Sequence, residues 1–247
     1  MYTRFEPGYI LDAHLIEELQ GVKADGAFFA TLDHDLDVFI LRHGQSKGNA
    51  SNTYQGRYDF PLTAQGEKEA RQAGEWLSQF KPDYILASPM LRAKRSAEIV
   101  SSVIDLAHIE FDDILIEMDT GVFSGIDPST AAQRYPDIWE DFYRRSWDAI
   151  PAAESSKSIY ARSIIAWQHI RDIATRGASR IICITHGGLL QWLIRSTLGV
   201  HDWLPLLPIT NCCISKYEIE IIKKGVITFA QWTLINLHPL ESSCKIR

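Results

Sequence analysis

The sequence predicts an α/β protein: a three-layer αβα sandwich with a mostly parallel central sheet and an antiparallel C-terminal hairpin. Three observations predict it. Apolar, β-branched runs at residues 37–41 and 180–184 have the pattern of strands buried on both faces of a parallel sheet. Segments with helical periodicity alternate with such runs along the chain. Two long strand-like stretches, joined by Lys223-Lys224-Gly225, close the sequence as a hairpin. The 247 residues suit one large core. They divide into an extension of unassigned role (1–35) and a single domain (36–240).

The elements follow in order. Asp37-Val38-Phe39-Ile40-Leu41 forms the first strand and runs into Arg42-His43-Gly44. After Pro61-Leu62-Thr63, a helix is expected from Ala64 to Gln79, because Ala70, Ala73, Trp76, Leu77 and Phe80 recur at helical spacing. Lys81-Pro82-Asp83 breaks it, and Tyr84-Ile85-Leu86-Ala87 is a short strand. Ser88-Pro89 reads as an N-cap followed by proline at the first helical position, which puts Arg92 in the first turn. Ile114-Leu115-Ile116 reads as a further strand before Glu117, and Asp127-Pro128 opens helical sequence from Thr130 to Arg145. An amphipathic helix from Ser156 to Arg176 precedes the strand Arg180–Ile184, which runs into Thr185-His186-Gly187-Gly188. The hairpin strands are Ile214 to Ile222 and Val226 to Leu237. Trp139, Trp147, Trp192 and Trp203 are read as packing residues rather than binding residues.

Composition narrows the function classes. A formal net charge of −6 argues against a nucleic-acid partner, which would call for a basic face. The opening Met1 to Pro7 carries acid and proline where a signal peptide has an apolar core, and no run reaches the length of a membrane span. Cys183, Cys212, Cys213 and Cys244 lack zinc-ligand spacing, and adjacent cysteines do not readily bridge. A cytoplasmic protein with reduced thiols, no membrane partner, no metal and no cofactor is expected.

Both histidines sit at the carboxyl edge of a predicted parallel strand, where ligands of such sheets bind. Each alone is an ordinary turn residue; their frames change that. Leu41-Arg42-His43-Gly44-Gln45-Ser46 with Asn49, Gln55-Gly56 and Asp59 to Thr63 resembles the histidine phosphatase superfamily, phosphoglycerate mutase-like branch. The resemblance continues through Ser88 to Ala93 with Ser96-Ala97-Glu98, Glu117 with Gly121 and Gly125, Glu154-Ser155 with Arg162, and His186-Gly187-Gly188. It covers about residues 36 to 220. The agreement of several spaced motifs makes coincidence implausible.

The resemblance implies roles that elementary chemistry supports. His43 is the nucleophile that forms a phosphohistidine, and an imidazole with an ordinary pKa near 6.5 needs no separate base for that attack. Arg42 and Arg92 clamp the phosphate with guanidinium forks, His186 completes the pocket, and Asn49 adds an amide donor. Gly187 and Gly188 are expected to let backbone approach the phosphate oxygens ahead of a helix starting near Leu189. Glu117 is the general acid for the leaving oxygen, with Asp119 as its local competitor and more suited to supporting the loop. Gln55 and Gly56 lie in the substrate loop. Metal ligation by His43, His186 and Glu117 is the competing chemistry, but their arginine and glycine neighbours suit an anion better than a cation.

Within the family, Phe142 to Asp148 resembles the mutase region that carries paired arginines for a substrate carboxylate, here Arg144 and Arg145. Mutases place Arg directly after the acid Glu, Lys near the next turn and Asn after the second His-Gly. This chain has Met118, Pro128 and Gly188 there, and a short stretch from Pro151 to Glu154. The resemblance therefore implies a phosphomonoester hydrolase acting on a small phosphorylated metabolite. A cofactor-dependent phosphoglycerate mutase and a non-catalytic phosphate-binding regulatory module are the alternatives. For residues 1–35, capping of the site, packing on the sheet edge and pairing of two copies in a homodimer all stay open.

Overall fold

The computed structural model describes residues 2–239 except 10, 145, 146 and 205. Its strands are β1 (Leu36–Arg42), β2 (Tyr84–Ala87), β3 (Glu110–Phe111), β4 (Arg180–Thr185), β5 (Ile214–Lys223) and β6 (Ile227–Leu237). They form one sheet in the order β3-β2-β4-β1-β5-β6. Strands β1 to β4 run parallel, and β5 joins β1 antiparallel, carrying β6 with it. The helices are α1 (Ala13–Leu19), α2 (Lys47–Ala50), α3 (Ala64–Ser78), α4 (Leu91–Ile104), α5 (Pro128–Arg134), α6 (Pro136–Arg144), α7 (Ser156–Thr175) and α8 (Gly187–Leu198).

The pleat explains why the central strands read as unbroken apolar runs. Alternate residues enter opposite layers. Phe39, Leu41, Ile85, Ile182 and Ile184 pack on Ala70, Ala73 and Leu77 of α3 and Ala93 and Val100 of α4. Val38, Ile40, Ile181 and Cys183 pack on the other face with Ile164, Trp167 and Ile170 of α7 and Leu190 and Leu193 of α8. The expected three-layer sandwich with its antiparallel hairpin is what the chain forms. Among the described residues no helix is long and apolar enough to cross a membrane.

Three expected elements differ. Helix α4 begins at Leu91 with Met90 at its N-cap, because the Ser88 hydroxyl is committed to His186. The strand expected at 114–116 is a 3₁₀ turn, Asp113–Leu115, capped by the Asp112 carboxylate accepting from Ile114 N–H; the edge strand lies earlier, at Glu110–Phe111. The helix expected from Thr130 to Arg145 is broken into α5 and α6. Pro136 lacks an N–H and pushes Tyr135 out of the helical region, to φ −134° and ψ 59°.

Residues 2–35 lie along the domain rather than apart from it. Leu19, Ala24, Phe29 and Leu32 are part of the α7/α8 core layer. Tyr160 and Tyr217 donate to the carbonyls of Val22 and Ala24. Further upstream, Phe5 N–H donates to Arg57 C=O, Asp59 N–H to Thr3 C=O, and the Tyr2 and Phe60 ring centroids lie 4.2 Å apart, the rings tilted by 40°. Arg4 meets Asp119. The start of the chain thus straps the 57–60 loop to the segment that follows Glu117.

Candidate active site

Register brings the two histidines together. Arg42 at the end of β1 pairs with Thr185 at the end of β4, and His43 N–H donates to Thr185 C=O at 2.9 Å. The rings of His43 and His186 sit 5.1 Å apart, both essentially without solvent exposure. His43 Nδ1 lies 2.7 Å from Gly44 C=O. A carbonyl only accepts, so Nδ1 carries the proton and Nε2 keeps its lone pair. Burial, then the charges of Arg92 and Arg42, push the His43 pKa well below the ordinary value. The imidazole is therefore neutral and aimed by its own backbone.

His186 is neutral for the same reasons, burial first and Arg92 next. Its Nε2 lies 2.8 Å from the Ser88 hydroxyl, which accepts from Met90 N–H at 3.3 Å and, with no other acceptor among the described residues, gives its own proton to Nε2. That leaves an N–H on Nδ1, which is buried and has no partner. Arg92 is fully buried, with Nη1 and Nη2 held by the carbonyls of Tyr58 and Gly56 at 2.9 and 3.0 Å. Its Nε is unpartnered. Arg42 repeats the arrangement: Nη1 donates to Ile209 C=O at 2.6 Å, and Nε has no partner. Burial lowers the Arg92 pKa to about 10, so it stays charged at neutral pH. Three buried donors without acceptors, two of them cationic, mark a place for an anion.

Glu117 enters from the turn after the 3₁₀ segment. Arg162, buried and paired with Glu154 through Nε at 2.8 Å, donates Nη1 to the carbonyls of Ile114 and Ile116 and so fixes that turn. The Glu117 carboxylate accepts from the N–H groups of Met118, Gly188 and Leu189 at 2.9, 3.2 and 3.2 Å. The first turn of α8 therefore serves Glu117, where the sequence reading assigned those donors to the phosphate. Gly188 is small because a Cβ there would lie 2.4 Å from Glu117 Oε1 and 2.6 Å from Met118 Sδ. A Cβ at Gly187 would sit 3.2 Å from Arg42 Nε. The first glycine leaves room for Arg42 and the second for Glu117 and Met118.

A cleft of about 350 Å³ opens beside these groups, lined by Arg42, Asn49, Gln55, Gly56 and Glu117 among others. Asn49 Oδ1 is taken by Ser46 N–H, the Ser46 hydroxyl and Asn211 Nδ2, which leaves its Nδ2 as the spare donor at the cleft wall. Asp119 does not compete with Glu117: its Oδ1 accepts from Gly121 N–H at 3.0 Å and its Oδ2 meets Arg4. Arg144 stands away from the site. It is 72% exposed and pairs with Glu140 one helical turn earlier at 2.5 Å. Arg145 lies outside the described residues, as does Cys244. Among the described residues no cluster of three or more His, Cys, Asp or Glu is arranged to hold a metal ion.

Sequence reasoning passed over four contributors. Ser88 sets the His186 tautomer, and Asn211 bridges His43 C=O and Asn49 at 3.3 and 3.1 Å. Asn211 carries no sequence signal, and Ser88 reads as a helix cap within its motif, because the role of each lies across the fold. Trp147 and Trp203, expected only to pack, also line the cleft. Their rings lie 4.9 Å apart, so packing and lining are one arrangement.

A buried neutral imidazole facing cationic donors at the carboxyl ends of parallel strands defines an α/β enzyme built to handle phosphate esters. The match to known proteins agrees. Residues 38–231 match the model of the histidine phosphatase superfamily (branch 1), and the chain belongs to that family. Its class of enzyme is phosphatase. It is 29% identical over 181 residues to the protein named uncharacterized phosphatase PhoE of Bacillus subtilis, covering 73% of this chain and 87% of that one. It is 30% identical over 187 residues to the probable phosphoglycerate mutase GpmB of Salmonella paratyphi C, covering 75% and 86% respectively. The fold is shared with a mycobacterial glucosyl-3-phosphoglycerate phosphatase solved with VO3, at a TM-score of 0.71 and 22% identity, over 82% of this chain and 99% of that one.

Proposed function

We propose that the protein hydrolyses the phosphomonoester of a small metabolite through a phosphohistidine on His43. The observation that carries this is the set of three orphaned buried donors, Arg42 Nε, Arg92 Nε and His186 Nδ1, beside an imidazole whose free nitrogen is Nε2. In the first step Nε2 attacks phosphorus, the P–N bond forms as the ester P–O bond breaks, and Glu117 gives a proton to the departing alkoxide. The donors match the equatorial oxygens, where charge gathers in a loose transition state. In the second step water attacks the phosphoryl group, Glu117 takes its proton, and phosphate leaves His43 neutral again. The outward position of Arg144 supports hydrolysis over mutase activity, since Arg42, the only arginine among the described lining residues, belongs to the phosphate end and leaves none for a substrate carboxylate. The site lies within the family domain proposed at residues 36–240, and the cleft, open to water, is proposed to sit in a cytoplasmic enzyme.

Rapid-quench labelling with a ³²P-ester tests the reading. An acid-labile, base-stable adduct mapping to His43, absent in His43→Ala, is expected. Turnover of the ester with no adduct at that residue refutes the proposal.

A further inference from the structure

The cleft's walls say more about the substrate than its floor does. Among its described lining residues only Arg42 and Glu117 carry charge, and both are engaged at the phosphate end. Beside the polar Asn49, Thr53, Gln55 and Thr120, much of the wall is aromatic and aliphatic. Trp147 and Trp203 form its base, only 4% and 8% exposed, while Tyr143, Leu204 and Leu206 stand at the mouth, 63%, 45% and 48% exposed. The mouth residues come from two separate segments, the end of α6 and the loop after α8, and converge on one opening. Large apolar groups held in water around a polar site mark a binding surface.

We propose that this wall selects phosphomonoesters whose alcohol is apolar, an aromatic or branched aliphatic group without a second anion. The inference rests on the phosphatase reading and extends it to the leaving group. A carboxylated ester would bring a second negative charge into a cleft whose remaining lining is apolar or neutral polar, with no described cation to receive it. An apolar ester removes those walls from water instead. Specificity here is a difference between two desolvations: the apolar group gains by leaving water, and the carboxylate loses. Tyr143 and Leu206 are the specificity-determining residues, because they are the exposed faces that such a group would cover.

The experiment has a binding arm and a turnover arm. Alkylphosphonates, which carry no ester bond, are titrated calorimetrically into the full-length protein: ethyl, butyl, hexyl and 2-phenylethyl, with 2-carboxyethylphosphonate for comparison. Affinity is expected to rise about threefold per methylene, hence roughly 80-fold from ethyl to hexyl, with the carboxylated compound weaker than butyl. The matching alkyl phosphates should follow the same order in kcat/KM. Tyr143→Ser and Leu206→Ser are each expected to flatten the chain-length slope. Affinity independent of chain length, or tighter binding of the carboxylated compound, overturns the proposal. Phosphonates that bind in the expected order while no ester releases phosphate would overturn the hydrolysis reading and leave the apolar preference standing.

Discussion

Acidification should weaken this fold through the two site imidazoles, by an amount that the structure bounds. His43 and His186 are buried and held neutral, with Arg42 and Arg92 facing both and Arg162 also near His186. In the unfolded chain each reverts to a pKa near 6.5 and takes a proton as pH falls. The unfolded state then binds more protons than the folded one, so stability is present above pH 6.5 and lost below it. Between pH 7.5 and 5.5 each imidazole forfeits at most about 1.4 kcal/mol, the limit for a folded imidazole that stays neutral throughout, or at most about 2.7 kcal/mol for the pair. In a domain of this size that lowers Tm by roughly 5–11 °C. His34 and His169 have raised pKa values, from hydrogen bonds to Ala178 C=O and Asp112, and work the other way: their stabilisation builds as pH falls toward 6.5 and is fully present below it. The measurement is therefore a difference: thermal unfolding of the wild type and of His43→Gln/His186→Gln at both pH values. The wild type should lose more than the double variant on acidification, by up to about 2.7 kcal/mol. Equal losses would mean that the folded imidazoles accept protons, and the neutral-nucleophile argument would fail with them.

Three further outcomes test the positioning of the site. Ser88→Ala removes the hydroxyl that holds His186 Nε2 and lets the tautomer reverse; steady-state assay should show kcat reduced about tenfold, the cost of one misdirected donor. Arg4→Ala, or removal of residues 1–9, releases the strap on the loop whose Gly56 and Tyr58 carbonyls hold Arg92, and kcat/KM should fall on the order of tenfold through misplacement of that clamp, with circular dichroism unchanged. Glu117→Gln should cost much more rate on alkyl phosphates than on nitrophenyl phosphate, whose leaving group scarcely needs a proton; equal losses would remove Glu117 from the acid role.

What the sequence reveals and conceals has a physical pattern. Strands β1 and β4 are legible because burial on both faces demands unbroken apolar runs, and α3 and α7 because one buried face repeats at helical spacing. His43, Arg42, Arg92, His186 and Glu117 are legible because each sits in a short fixed frame. The misread elements are those decided by distant partners. Ser88 looks like a cap, yet its hydroxyl is claimed by a histidine 98 positions later. Residues 114–116 look like a strand, but Arg162 takes the carbonyls of Ile114 and Ile116 that a neighbouring strand would need. Arg144 looked like a substrate ligand until Glu140, one turn away on the same helix, claimed it. The Pro136 break was readable, since the residue before a proline leaves the helical region, and the apolar periodicity was followed past it.

One set of charges does two jobs in this pocket. Arg42 and Arg92 are fixed by backbone carbonyls, and their Nε groups are buried without a partner. The same two charges, with desolvation, keep His43 and His186 neutral. A phosphate clamp built from lysine would lack the fork that lets one edge be anchored while another is presented. A nucleophile placed in water would need a base to keep it available at mildly acid pH. In the proposed mechanism burial, together with the cations that would attract the substrate, holds the attacking nitrogen unprotonated, while Gly44 C=O accepts from Nδ1–H and leaves the Nε2 lone pair free. That coupling lets a protein of net charge −6 concentrate positive potential in one buried corner without a base beside the nucleophile.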